Sequence, residues 1–115
     1  MPNAFRSRWV SAAVAVTLLA CTEGDPGRSV YKESGCPRCH ASDLSGTRLG
    51  PPLNRVPSDW GRRELLAFLE APDKVRIENT RLKQIAEKYP APMPLFLMSD
   101  STRAQLADYL LSASR

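Results

Sequence analysis

The chain has one histidine, His40, in 115 residues, and only three cysteines, Cys21, Cys36 and Cys39. A site built on two imidazoles therefore cannot form within one chain, and acid–base chemistry that needs a spare histidine has no group to use. No stretch keeps up an apolar/polar alternation, which argues against half-buried strands. No apolar run reaches the roughly 20 residues that span a bilayer. No block of one charge stands out, because the 16 Lys and Arg residues are interspersed with 12 Asp and Glu. The basic balance is therefore no sign of a nucleic-acid partner. Repeats and low-complexity tracts are missing too. What remains is a small helical chain with its chemistry concentrated in very few residues.

Three of those residues stand together in Cys36-Pro37-Arg38-Cys39-His40. Two cysteines two residues apart with a histidine immediately after are the attachment signature of c-type haem. The spacing suits the chemistry: two thiols add across the two vinyl groups of one porphyrin, and the adjacent imidazole is held beneath the iron as proximal ligand. Two other readings use the same residues. A Cys-x-x-Cys pair can be a redox dithiol, or half of a zinc site. Zinc needs about four ligands, and only Cys36, Cys39, His40 and the distant Cys21 are on offer.

Residues 1–20 read as an export signal. Arg6 and Arg8 precede an apolar run from Trp9 to Leu19, and Ala20 precedes Cys21. Leu18-Leu19-Ala20-Cys21 resembles the lipobox of bacterial lipoproteins, which implies lipidation of the Cys21 sulfur and cleavage of the signal before that residue. Two or three acyl chains anchor a protein stably where one does not. The expectation is a protein exported from a bacterial cytoplasm and held at the periplasmic or other extracytoplasmic membrane surface. Cleavage removes two arginines and no acid, so 14 basic and 12 acidic residues remain. Residues 21–27, polar and rich in Gly and Pro, read as the tether, and residues 28–115 as one small domain. A domain of this size gains stability from a bound group around which it can pack.

Within the domain, residues 28–34 predict a short helix ended by Gly35, and residues 41–56 a loop containing Gly46, Gly50, Pro51 and Pro52. Ser58 or Asp59 is the expected N-cap of a helix bearing Leu65, Phe68 and Leu69 on one face and stopped by Pro72. Leu82, Ile85, Ala86 and Tyr89 repeat the pattern. Residues 90–94, with three prolines, predict an extended loop. Ser99-Asp100 opens a last helix with Thr102, Leu106, Tyr109, Leu110 and Ala113 as its apolar stripe. The fold class is all-α, which disfavours the redox dithiol, since thioredoxin-like proteins set Cys-x-x-Cys beside a βαβ unit.

The distal ligand follows from what the domain contains. Met93 and Met98 are its methionines. Met93 lies in the proline-stiffened loop, and Met98 precedes an N-cap, where an apolar residue packs as a staple. Met93 is the favoured ligand and Met98 the alternative.

In order along the chain, Gly27 and Val30-Tyr31 before the haem motif, Gly50-Pro51-Pro52-Leu53, Met93-Pro94 with Phe96, and Ala107-Asp108-Tyr109-Leu110 resemble the short bacterial class I cytochrome c domain. That resemblance implies three to five helices wrapped around one haem attached through Cys36 and Cys39, with His40 on the iron. It implies that the Pro51 carbonyl accepts a hydrogen bond from His40, that Leu53 and Phe96 wall the haem, and that Tyr31 meets Tyr109 where the first and last helices cross. Trp60 would donate to a propionate, or else serve as a half-buried aromatic at a helix start. The interval from Pro72 to Pro90, bearing Lys74, Arg76, Arg81, Lys83 and Lys88, departs from the compact family pattern. It reads as a solvated cover with an apolar underside, or as a basic docking surface. The function so implied is an electron carrier that cycles Fe(III)/Fe(II) without substrate turnover and meets redox partner proteins at its membrane. The alternatives are an exported thiol–disulfide oxidoreductase without haem and a peroxidase-like protein with open iron.

Overall fold

Every regular element among the described residues is a helix, and each begins or ends where a short list of residues makes it do so. A computed structural model describes residues 13–16 and 24–113. The export signal apart from residues 13–16, the lipobox and Cys21 lie outside the described residues. Residues 13–16 are irregular and exposed, and no helix among the described residues is long and apolar enough to cross a membrane.

The helices are α1 (Pro26–Glu33), α2 (Pro37–His40), α3 (Val56–Asp59), α4 (Arg62–Glu70), α5 (Pro72–Glu78), α6 (Thr80–Lys88) and α7 (Asp100–Ser112). No strand occurs among the described residues; Thr47 and Gly50 form one isolated bridge. Seven helical segments exceed the three to five expected. The surplus is made of α2 and α3, each a single turn of four residues, so five longer helices remain.

The boundaries differ from the sequence reading for identifiable reasons. α1 begins at Pro26, with the Asp25 carboxylate accepting from Gly27 N at 2.8 Å, so Pro26 and Gly27 belong to the helix and not to the expected tether. Proline at the first helical position loses no bond that the helix would have made. Asp59 closes α3 instead of opening a helix. Trp60 is extended, and Gly61 precedes α4. Pro72 does end α4, at Glu70, but it also opens α5, which the sequence reading left out. Asn79 caps α6 by accepting from Leu82 N at 3.1 Å, and Ser99 caps α7 by accepting from Thr102 N at 3.2 Å.

α1 crosses α7 in the most extensive helix–helix contact, α4 packs on α7, and α5 leans on α4 and α6. One core cluster gathers Tyr31, Cys36, Leu44, Val56, Leu65, Leu69, Leu106, Ala107 and Leu110. The stripe of α7 is therefore centred on Leu106, Ala107 and Leu110, with Thr102, Tyr109 and Ala113 at its half-buried edge. At the crossing, the Tyr31 and Tyr109 rings sit 5.8 Å apart and tilted. The close approach depends on Gly27, which is buried: a Cβ there would collide with the Gln105 carbonyl oxygen and with Tyr109 Cβ.

Neither obstacle is the free end of a flexible side chain, so Gly27→Ala must push the helices apart. Overpacking of this kind costs about 1–3 kcal/mol, more than the helix propensity it gains. Urea unfolding of the holoprotein should show that loss. The exposed Ser29→Ala should stay within about 0.5 kcal/mol of the parent.

Candidate functional site

The turn that carries the cysteines is built by the chain folding back on itself. Tyr31 O accepts from Cys36 N at 3.2 Å, and Cys36 O accepts from His40 N at 3.0 Å, which winds residues 36–40 into one helical turn. Ala41 follows with φ 65°, in the left-handed region, and turns the chain away. Its carbonyl is held by the Tyr31 hydroxyl, which donates at 2.5 Å. Burial pushes the Tyr31 phenol far above its ordinary value, so this donor keeps its proton.

The loop after α2 then wraps that turn. Gly46 N donates to His40 O at 2.9 Å, Thr47 Oγ1 to Cys39 O at 2.8 Å, and Leu53 N to Leu44 O at 2.8 Å. Gly50 packs directly on the imidazole: a Cβ there would stand 3.1 Å from Cys39 O and 3.2 Å from His40 Cε1, tighter than ordinary contact. The wrap delivers the Pro51 carbonyl to the imidazole, with Nδ1 2.8 Å from the oxygen. A carbonyl only accepts, so Nδ1 carries the proton and Nε2 keeps its lone pair. Burial draws the His40 pKa below its usual value, and the bond to Pro51 partly opposes this. The imidazole is thus neutral, oriented, and has one nitrogen left to coordinate.

That histidine lines a cavity of about 360 Å³. The structure brings all eight expected cofactor residues to this one space: Cys36, Cys39, His40, Pro51, Leu53, Trp60, Met93 and Phe96. Met98 lines it as well, so its half-buried side chain is more than a staple on α7. α6, which the sequence could not place, forms another wall through Leu82, Ile85 and Ala86, continued by Tyr89 just after it, while Lys74, Lys83 and Lys88 are exposed. The interval thus has the apolar underside of a cover, and its outward lysines belong to the cover reading and the docking reading alike.

Sequence reasoning missed the cluster around Trp60. The indole packs at 5.2 Å on Phe68 and carries the Arg81 guanidinium 4.6 Å above its ring. Arg81 also donates to the Asp59 carbonyl oxygen and pairs with Glu64 at 3.2 Å. Its Nε is buried without an acceptor among the described residues. Arg81 comes from the far side of α5, an element not foreseen, and nothing in the spacing of charges would have brought it to Trp60.

The walls fit a large, flat, mostly apolar group that bears carboxylates. The apolar side chains accept its body, the orphaned Arg81 N–H offers a donor to a carboxylate, and His40 offers a ligand to a metal at its centre. The same geometry counts against the other readings of the motif. A redox dithiol needs a thiol of lowered pKa, whereas burial pushes the Cys36 thiol up. Among the described residues no three His, Cys, Asp or Glu side chains gather as a metal held by protein ligands alone would require. The sequence model of the family described as Cytochrome c matches residues 24–114. No curated protein and no solved structure matches the chain.

Proposed function

Because the chain belongs to the cytochrome c family and so carries covalently bound haem c with its iron, we propose that this electron-transfer protein is a membrane-tethered carrier with His40 and Met93 as axial ligands. Cys36 and Cys39 hold the porphyrin edge by thioethers. The observation that carries this reading is the oriented His40, tied to Pro51 at 2.8 Å and lining the same apolar cavity as Met93. Bound there, the group supplies a one-electron Fe(III)/Fe(II) couple, whose ferrous form a thioether opposite imidazole favours.

The residues divide the remaining work. Pro51 fixes the imidazole plane and raises its donor strength. Leu53 and Phe96 keep water from the porphyrin faces. Trp60 and Arg81 stand together to receive a propionate, so the tryptophan is both the packed aromatic and part of a polar contact. With the only imidazole committed to iron and to Pro51, no histidine remains as distal acid–base group. That favours electron transfer over peroxide chemistry. Electrons enter from a donor protein and leave to an acceptor protein at the same membrane.

The tether reading rests on residues 18–21 as a lipobox. With α1 starting at Pro26, only four steps separate Cys21 from the Asp25 cap. They reach about 14 Å at full extension. The domain would sit close against the lipid.

Three measurements test these assignments. Protein from cells competent in cytochrome maturation should keep its haem stain on a denaturing gel, and Cys36→Ser with Cys39→Ser should lose it; a colourless parent band would end the haem reading of this motif. Met93→Ala should remove the sulfur–iron absorption of the ferric holoprotein and lower its potential. If the spectrum stays and Met98→Ala removes it, Met98 is the ligand. Finally, Cys21→Ser should move the holoprotein from the membrane fraction to the soluble one, and unchanged sedimentation would refute the lipid anchor.

A further inference from the structure

The loop that carries both methionines has almost no hydrogen bonds of its own. Between the end of α6 and Ser99, residues 90–97 make no hydrogen bond among the described residues, to backbone or to side chain. The loop is kept in place by the contacts of Met93 and Met98 with the core, and by a single polar attachment at its last residue. Arg103, one turn into α7, donates from Nη2 to the Met98 carbonyl oxygen at 3.2 Å and from Nη1 to Asp100 at 2.7 Å.

The burial of this arginine is lopsided. Its side chain is 14 % exposed, while its ion-pair partner Asp100 is 99 % exposed. A pair with one fully solvated member is worth little. Withdrawing a guanidinium from water is expensive unless its N–H groups find partners inside. Of the acceptors it reaches, the Met98 carbonyl is the one that belongs to the loop. Arg103 therefore does at the loop what a strand pairing would do elsewhere: it fixes a backbone position relative to α7.

We infer that Arg103 is a positioning residue for the distal ligand, acting as the latch that keeps the 90–98 loop closed over the cavity. It does not touch the cavity itself; it acts through the backbone of Met98. It has this role because, on the reading proposed above, a sulfur of the loop is the distal ligand. Without the latch the loop retains its apolar contacts but spends more time open, with the sulfur withdrawn. Losing a hydrogen bond from a charged donor should raise the open fraction roughly tenfold or more.

Imidazole added to the ferric holoprotein measures that fraction, since it binds only where the sulfur has left, and its apparent affinity scales with the open population. Arg103→Met keeps the buried stem and removes the donors; it should bind imidazole about tenfold more tightly and have a lower potential. Arg103→Lys retains the charge and should fall between parent and Arg103→Met, which also covers the case in which the methionine variant fails to fold. Asp100→Asn removes the exposed ion pair but leaves the bond to Met98, and should change the affinity less than about twofold. A purely structural arginine would lower the unfolding midpoint and leave imidazole affinity and potential untouched. If the parent shows its sulfur–iron absorption and neither Arg103 variant tightens imidazole binding, the latch is refuted while the ligand assignment stands. If the parent lacks that absorption and binds imidazole as tightly as the variants, the distal-sulfur reading fails and the latch fails with it.

Discussion

The side chains that form the core of this domain are the same ones that wall its cavity. Tyr31, Cys36, Val56, Leu65, Leu69, Leu106 and Leu110 belong both to the buried cluster and to the lining of the 360 Å³ space. Full burial of a side chain such as leucine contributes about 1.5–3 kcal/mol relative to leaving it exposed. That contribution holds only while the space beside the side chain is filled by something apolar. In a chain of this size there is no second core to compensate. Fold and cofactor are therefore one problem, and the covalent link solves it by making the filling permanent.

Tyr31 joins the two halves of that solution. Its ring packs on Tyr109 at the α1–α7 crossing, and its hydroxyl holds Ala41 in the turn immediately after His40. The left-handed backbone at Ala41 and Leu44 is unfavourable for residues with a Cβ, at a cost on the order of 1 kcal/mol each. The Tyr31 hydrogen bond offsets the first, and burial of Leu44 in the core offsets the second. A helix crossing made possible by Gly27 thus fixes, through one phenol, where His40 stands.

How much of this could be read from residues alone divides by sequence distance. The haem turn was legible because its chemistry is local: Cys36, Cys39 and His40 lie within five residues and their spacing is itself the signature. The loop with Pro51 and the loop with Met93 were legible as proline-rich breaks in helical periodicity, and their place opposite each other came from resemblance. Trp60 was half legible, since an aromatic near a helix start says nothing of what stacks on it. Neither Arg81, which lines the cavity, nor Arg103, which holds the Met98 carbonyl outside it, was legible in the sequence. Each owes its position to tertiary packing, Arg81 through the unforeseen α5 and Arg103 through the return of the chain onto α7, and each reads in sequence as one more charge on a helix. The start of α1 was misjudged from composition, because Pro26 and Gly27 are ordinary linker residues unless Asp25 caps a helix and Tyr109 waits for a glycine; the resemblance had set Gly27 with the first helix.

The two sides of the cavity are held by different means, and the difference has a physical reason. On the histidine side, bonds from Gly46, Thr47, Leu53 and His40 knit residues 39–53 into a closed wrap. On the methionine side, residues 90–98 rely on apolar contact and the one bond from Arg103. Local opening follows the density of buried contacts and hydrogen bonds, so the methionine side is where this fold gives way first. An imidazole must be presented at a fixed angle to a group already attached beside it, and the wrap provides that angle. A thioether has a long flexible stem and little directional demand, so the proposed methionine ligand does not require such a wrap. On the proposed ligation, rigidity stands where the geometry of coordination requires it, and the loosely bonded segment carries the soft ligand.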